Sequence, residues 1–285
     1  MICYYKGAKN AKTKLCMQLW NTYRSRALAV WLQNYGIEII PNVRFSDEHS
    51  YEFCFNGIED SMIYITGDTH IPADINKLSS KRFSEQKEMT DKDFLIICGD
   101  FGGVWCGDNE ELYWRKWLDK KNFTTLFIDG NHENFDMLGS FPIVDLCQGK
   151  AHKISNKIYH LMRGQIYIID GKKIFTFGGA SSHDKEFRKE GKNWWKEELP
   201  NESEYNIATE SLSKADWSVD IVITHSAPTS MQRLIRPSYD ENRLTDFLEE
   251  LDRKLKFKKW FFGHYHIDKD LTDSHIAIYN DIVKV

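Results

Sequence analysis

Apolar runs of three to five residues recur along the chain, and each is cut off by a short polar cluster. Met62–Thr66, Phe94–Cys98, Thr125–Ile128 and Ile221–Thr224 are such runs, and Trp260–Phe262 is a shorter one. Residues that are apolar at consecutive rather than alternate positions predict a strand covered on both faces. Polar stretches with helical patterning follow the first three runs: Asp74–Glu88, Asn109–Lys121 and Glu133–Gly139. The order β-α-β-α-β predicts a parallel sheet with right-handed crossovers.

The middle of the chain reads differently. Gln165–Ile169 and Lys173–Phe177 flank Asp170-Gly171, a dipeptide that favours a tight hairpin turn. Helices are predicted over Glu202–Ala215 and Asp240–Lys256, and strands over Ile276–Tyr279 and Ile282–Val285. A purely parallel sheet does not accommodate the hairpin, so two packed sheets with helices outside are expected.

Residues 1–61 carry a basic start, an amphipathic helix predicted over Leu15–Asn34, a stop at Gly36, a strand-like Ile37–Ile40 ended by Pro41, and a turn at Asn56-Gly57. One helix and one or two strands bury too little surface to stand alone. Met62 opens a run suited to the start of a complete protein. Residues 1–61 are therefore expected to be a fused or residual fragment, dispensable for catalysis, and residues 62–285 the working domain.

Composition narrows the picture. The 285 residues are 41% hydrophobic and 28% charged, with a net charge of −4; the pI is near 6.2. No overall basic field exists to hold nucleic acid or an anionic membrane. None of the six cysteines forms a Cys-x-x-Cys pair, which argues against a structural zinc site. Residues 1–14 carry four lysines and no apolar core, and no apolar run approaches the roughly 18 residues of a membrane span. A cytoplasmic setting is expected.

The polar clusters carry the chemistry. They are Asp68-x-His70, Gly99-Asp100, Gly130-Asn131-His132-Glu133, His225 and Gly263-His264-x-His266. Ligands of α/β sheets gather beyond the carboxyl ends of the strands, where all five clusters fall. Asp68 and His70 share a side of an extended loop. Asp100 has two oxygens and is able to bridge two cations. Mixed nitrogen and oxygen donors suit manganese, iron, zinc or nickel better than calcium. Two such cations would activate a water and clamp a phosphoryl oxygen, with His132 as general acid or as a donor to the phosphoryl group.

With these five clusters in this order, the chain from residue 62 to about 285 resembles the calcineurin-like metallophosphoesterases, whose pattern is Asp-x-His, Gly-Asp, Gly-Asn-His-Asp/Glu, a strand-end His and Gly-His-x-His. The resemblance implies an α/β fold, a four-layer α/β/β/α sandwich of two packed mixed sheets with a two-metal site at the strand C-terminal ends. It implies Asp68, His70 and His266 on one metal, Asn131, His225 and His264 on the other, Asp100 between them, and His132 as the catalytic histidine. Two divalent ions are implied, manganese first, with iron, zinc or nickel as alternatives. Many members carry Gly-Asp-x-x-Asp followed by Arg; here Gly103 and Val104 stand in those places, so His132 lacks its usual carboxylate partner. That departure argues against a protein Ser/Thr phosphatase. The stretch "YRSRALAVWLQNYGIEIIPNVRFSDEHSYEFCFNGI" resembles the terminal part of a domain of unknown function from phage and mobile-element proteins.

Residues 178–200 read either as a surface insertion packed on the body or as a loop that meets substrate. Ser181, Ser182, His183, Lys185 and Arg188 would meet phosphate, and Trp194 and Trp195 would stack on a base; packing of both tryptophans against the body is the competing reading. Trp114 and Trp117 read as a buried helix face, and His49, His152, His160 and His275 as ordinary residues. The expected activity is hydrolysis of a phosphate mono- or diester, the substrate a small phosphoester or nucleotide. A nuclease acting on DNA or RNA ends is the alternative among enzymes, disfavoured by the acidic pI. A binding scaffold without turnover is the alternative outside catalysis.

Overall fold

The computed structural model describes residues 15–33, 35 and 61–285. The chain divides into two units, Met1–Asp60 and Ser61–Val285. In the first, α1 spans Leu15–Gln33. Its apolar residues are spread around the helix rather than gathered on one face, and Met17, Leu19, Trp20, Tyr23, Val30 and Trp31 are exposed. The expected stop at Gly36, the strand Ile37–Ile40 and the turn at Asn56-Gly57 lie outside the described residues. Among the described residues no helix is long and apolar enough to cross a membrane.

The second unit is a mixed α/β fold with two mixed sheets. It runs β1 (Ile63–Thr66), β2 (Phe94–Ile97), α2 (Asn109–Asp119), β3 (Thr124–Phe127), α3 (Phe135–Gly139), β4 (Ile143–Leu146), β5 (Gly149–Lys153), β6 (Ile158–Leu161), β7 (Gln165–Ile169) and β8 (Lys172–Phe177). It continues with α4 (Glu202–Lys214), β9 (Ile221–Thr224), α5 (Thr229–Ile235), α6 (Arg243–Lys254), β10 (Lys259–Phe262), β11 (Lys269–Asp270), β12 (His275–Ala277) and β13 (Ile282–Lys284). One sheet is ordered β13-β1-β2-β3-β6-β5-β4 and the other β11-β12-β10-β9-β8-β7. The strands that carry the polar clusters pair in parallel: β1 with β2, β2 with β3, and β9 with β10.

The continuous apolar runs have a simple cause, since alternate side chains serve different cores. Ile63, Ile65, Ile96, Leu126, Ile221, Ile223 and Phe261, from both sheets, share one buried cluster. Tyr64, Leu95, Ile97 and Phe127 join Leu118 of α2 and Leu138 of α3 in a second. Val222, Trp260 and Phe262 join Tyr205 and Leu212 of α4 and Leu248 of α6 in a third. A strand with no solvated face is apolar along most of its length.

Two expectations need correction. Asp74–Glu88 is not a regular helix but two short 3-10 turns, Ile75–Leu78 and Ser84–Lys87; the first ends where Ser79 turns extended, with φ −67° and ψ 149°. The helix expected from Glu133 begins only at Phe135, where the Asn134 side chain caps it by accepting from Met137 N–H.

Candidate metal centre

All seven candidate ligands sit just beyond the ends of β1, β2, β3, β9 and β10. The donor atoms of Asp68, His70 and His266 lie within 4.8 Å of one another, and so do those of Asp100, His225 and His264. His70, Asp100 and His132 form a third such group, so Asp100 is common to two groups. His70 Nε2 is 3.3 Å from Asp100 Oδ2, His225 Nε2 is 3.4 Å from the same oxygen, and His266 Nε2 is 3.1 Å from Asp68 Oδ2.

The backbone is bent to make this gathering. His70, Asp100, His264 and His266 have positive φ values of 34°, 47°, 66° and 52°, a region costly for residues with a Cβ and one that clusters at functional sites. The first two loops are tied together by Thr69 and His70 N–H groups, which donate to Asp100 O at 3.1 and 2.9 Å. Glycines leave the necessary space. A Cβ on Gly99, whose φ is +100°, would fall 2.2 Å from His225 Nδ1, and one on Gly130 would fall 2.0 Å from Asp100 Oδ1.

Hydrogen bonds set the imidazole tautomers. His225 Nδ1–H donates to Cys98 O at 2.6 Å, which leaves Nε2 as the ring nitrogen that faces the centre. His70 Nδ1 meets Asp74 Oδ2 at 2.9 Å and leaves Nε2 facing Asp100. Burial opposes charge on His225, but Asp100 and Asp68 outweigh it and raise its pKa to about 10. Burial, reinforced by His225, pushes His264 down to about 3. Burial also holds His132 below its ordinary value despite Asp100, so His132 is neutral at pH 7.

Nothing replaces the missing partner of His132 at position 103, where a Cβ would fall 2.5 Å from the Phe101 ring. Val104 is fully buried. The main-chain N–H of His132 donates to Asp100 Oδ1 at 2.8 Å.

Of the loop residues, His183 stacks on Tyr239 and its ring centroid is 6.0 Å from that of His264. Arg188 pairs with Asp184 at 2.7 Å, and its charge is felt at His132. Trp194 is half-buried. Trp195 is only 3% exposed; its Nε1–H donates to Asp136 Oδ2 at 2.8 Å and its ring meets Trp105 edge-on at 5.4 Å. An indole so enclosed is committed to packing and has no open face for a base. Ser182 faces inward, accepting from Asn131 Nδ2 at 3.2 Å while its hydroxyl donates to Glu198 Oε1 at 3.0 Å.

Several supporting residues carry no sequence signal of their own. Glu198 is buried and accepts both the N–H and the hydroxyl of Ser182. Lys77 is buried beneath the first loop, where its ammonium donates to Gly67 O at 3.0 Å, to Asp68 O at 2.6 Å and to Tyr279 O. Burial lowers its pKa to about 8. Asp129, next to Gly130, pairs with Arg163 and His160. Cys106, Asp108 and Glu111 also bring donors together, but Glu111 is taken up by the N–H groups of Trp105, Cys106 and Gly107 and by Arg115.

The donor set fits cations. Among the described residues, the buried side-chain atoms with no hydrogen-bond partner include Asp68 Oδ2, Asn131 Oδ1 and His225 Nε2. A buried polar atom without a hydrogen-bond partner costs about 1–3 kcal/mol, a cost that metal ligation would relieve. Such a mixed nitrogen and oxygen donor set, at the strand ends of a mixed α/β fold, suits divalent metal ions. The chain belongs to the calcineurin-like phosphoesterase family, whose model matches residues 61–268. Residues 10–78 match a domain of unknown function, DUF4417.

Two curated relatives are phage proteins. The chain is 46% identical over 41 residues to the Gene 1 protein of Mycobacterium phage L5, covering 14% of this chain and 18% of that protein. It is 38% identical over 42 residues to the Gene 1 protein of Mycobacterium phage D29, covering 15% and 16%. The chain thus spans less than a fifth of either relative. Among solved structures, "GAP50 the anchor in the inner membrane complex of Plasmodium" is similar at a TM-score of 0.44 and 15% identity, over 77% of this chain and 71% of that one. That likeness says nothing of function.

Proposed function

We propose that residues 61–285 hydrolyse a phosphate mono- or diester with two divalent cations, one held by Asp68, His70 and His266, the other by Asn131, His225 and His264, with Asp100 shared. The observation that carries this reading is the gathering of donor atoms within 4.8 Å of one another in two groups, Asp68, His70 and His266, and Asp100, His225 and His264, at the ends of β1, β2, β9 and β10. When bound, such cations supply positive charge to phosphoryl oxygens and lower the pKa of water.

The protein's own groups do the rest. Asp100 divides its oxygens between the His70 and His225 side and the His132 main chain. His132, neutral and without a carboxylate behind it, offers an N–H to a phosphoryl or leaving oxygen; it is a hydrogen-bond donor before it is an acid. Arg188 supplies positive charge on the loop side, and His183 a polar edge beside His264. The three buried clusters support a helix–sheet–sheet–helix sandwich. Residues 1–61 are proposed to be dispensable: a chain beginning at Met62 is expected to keep its turnover number within about twofold. The substrate is proposed to be a small phosphoester or nucleotide, the preferred metal manganese, and the setting cytoplasmic.

Turnover of an aryl phosphate monoester, an aryl diester and a nucleotide panel, after loading with Mn, Ni, Zn or Mg, tests the reading. Undiminished hydrolysis by chelator-treated protein would sink it.

Ser182 gives a second test. Its hydrogen bond fixes the Asn131 amide with Nδ2 on the hydroxyl and leaves Oδ1 buried without a hydrogen-bond partner. Ser182→Ala is expected to raise the Kd of one of two cations about 10–100-fold and to leave the other unchanged, read by calorimetric titration. Ser182→Thr keeps the hydroxyl and is expected to restore most of the affinity.

A further inference from the structure

A cavity of about 290 Å³ lies against His70 and His132. Ile71, Pro72 and Trp105 give it apolar walls, and the exposed carboxylates of Asp108 and Glu110 also face it. Neither Lys nor Arg is among the described residues that line it.

The wall is preformed. Glu111 Oε2 accepts N–H groups from Trp105 at 3.1 Å and from Cys106 and Gly107 at 2.8 Å each, so the 105–107 loop wraps one carboxylate. Asp108 caps α2 by accepting from Glu111 N–H at 2.8 Å. Trp195 buttresses Trp105 from behind.

We propose that this cavity receives the alcohol portion of the ester, and that the alcohol is a compact aromatic or aliphatic group, uncharged or cationic, rather than a continuing nucleic-acid strand. The inference rests on the phosphoesterase reading and names its substrate class. The volume is at the small end of organic-ligand sites. A second phosphate carried into it would face the exposed carboxylates of Asp108 and Glu110 and no Lys or Arg, whereas an ammonium group would be attracted by both. Both carboxylates are in contact with water, so the discrimination is moderate and salt-dependent.

The test uses full-length, manganese-loaded protein and aryl phosphates whose rings carry a para methyl, trimethylammoniomethyl or carboxymethyl group. The expected result is a kcat/KM about tenfold higher for the cationic than for the anionic ester. That ratio is expected to shrink to about twofold in Asp108→Asn/Glu110→Gln, where Asn keeps the helix cap, and to shrink in wild type as salt is raised. Comparing ratios between the two proteins cancels the esters' intrinsic reactivities. The matching arylphosphonates, measured by calorimetric binding, carry the same comparison without turnover. Equal handling of both charges, or a ratio unmoved by substitution and by salt, would overturn the proposal. If no ester is hydrolysed with any metal, the phosphoesterase reading fails, and the phosphonate ratio still decides what the cavity accepts.

Discussion

Asp100→Asn is expected to lower turnover by about a thousandfold or more while the chain stays folded. The carboxylate is buried between His70 and His225, with Oδ2 at 3.3 and 3.4 Å from their Nε2 atoms. Burial works against its charge, yet His225 and His70 hold its pKa well below the ordinary carboxylate value, so the group is anionic throughout the working pH range. Asparagine has nearly the same shape. It keeps an oxygen to accept the His132 N–H that Asp100 Oδ1 now receives at 2.8 Å, so the β2 and β3 loops stay tied. What it removes is one unit of negative charge from the place where two cations would meet. At 4 Å and an effective dielectric of about 20, one pair of unit charges is worth about 4 kcal/mol, close to a thousandfold in an equilibrium or rate. A doubly charged ion loses more. Calorimetry should show fewer cations bound or a Kd raised at both positions. An Asp100→Asn protein that binds two cations with wild-type affinity and turns over normally would remove Asp100 from the centre, and with it the binuclear reading.

The legible parts of the molecule share one physical property. β1, β2, β3, β9 and β10 are covered on both faces, so their sequences are largely apolar and the polar residues after each run mark a strand end. That is why the strand ends before Asp68, Asp100, His225 and His264 are legible in the sequence, while after β3 the first polar residue is Asp129, two positions before Asn131. The β7–β8 hairpin was legible for a local reason: Asp170 and Gly171 adopt φ values of 52° and 69°, which their residue types favour. The strands β4, β5 and β6 carry no such signature. Gly149–Lys153 alternates buried with exposed positions and includes two lysines and a histidine, which reads as loop until its neighbours are known. Trp195 was ambiguous because an indole that stacks on a ligand and one that packs on a neighbour look alike in sequence. The residues behind the ligands were out of reach for a different reason. Glu198 meets Ser182 across 16 positions and Arg163 meets Asp129 across 34; no local spacing encodes such pairs.

Arg163→Met is expected to destabilise the protein by about 3–5 kcal/mol, the cost of leaving a buried charge without its partner. The guanidinium and the Asp129 carboxylate are 4% and 2% exposed. Arg163 Nε donates to Asp129 Oδ2 at 2.8 Å, Nη2 donates to the same oxygen at 2.5 Å and to Glu197 O at 2.7 Å, and Nη1 reaches Glu204 Oε2 at 3.1 Å. One side chain thus ties the end of β3 to the start of α4 and to the segment before it. Asp129 O in turn accepts the Gly179 N–H at 2.9 Å, which holds the start of the 178–200 segment beside the Asn131 loop. Burial opposes ionisation of Asp129, but Arg163 and His160 outweigh it and hold the pKa below the usual carboxylate range. A depressed carboxylate contributes stability that is fully present above its unfolded value of about 3.9 and is lost as the pH falls toward the folded one. In Arg163→Met the largest opposing charge is gone and burial favours the neutral acid, so the penalty is greatest near neutrality and relaxes on acidification. Denaturant unfolding at pH 7 and pH 5 is the measurement. The gap between wild type and variant should narrow at the lower pH, and Asp129→Leu/Arg163→Met should be less destabilised than Arg163→Met alone, because no uncompensated charge remains. A double variant as unstable as the sum of the two single ones would mean that the pair contributes through packing alone, and that the loops beside the metal centre are held by their other contacts.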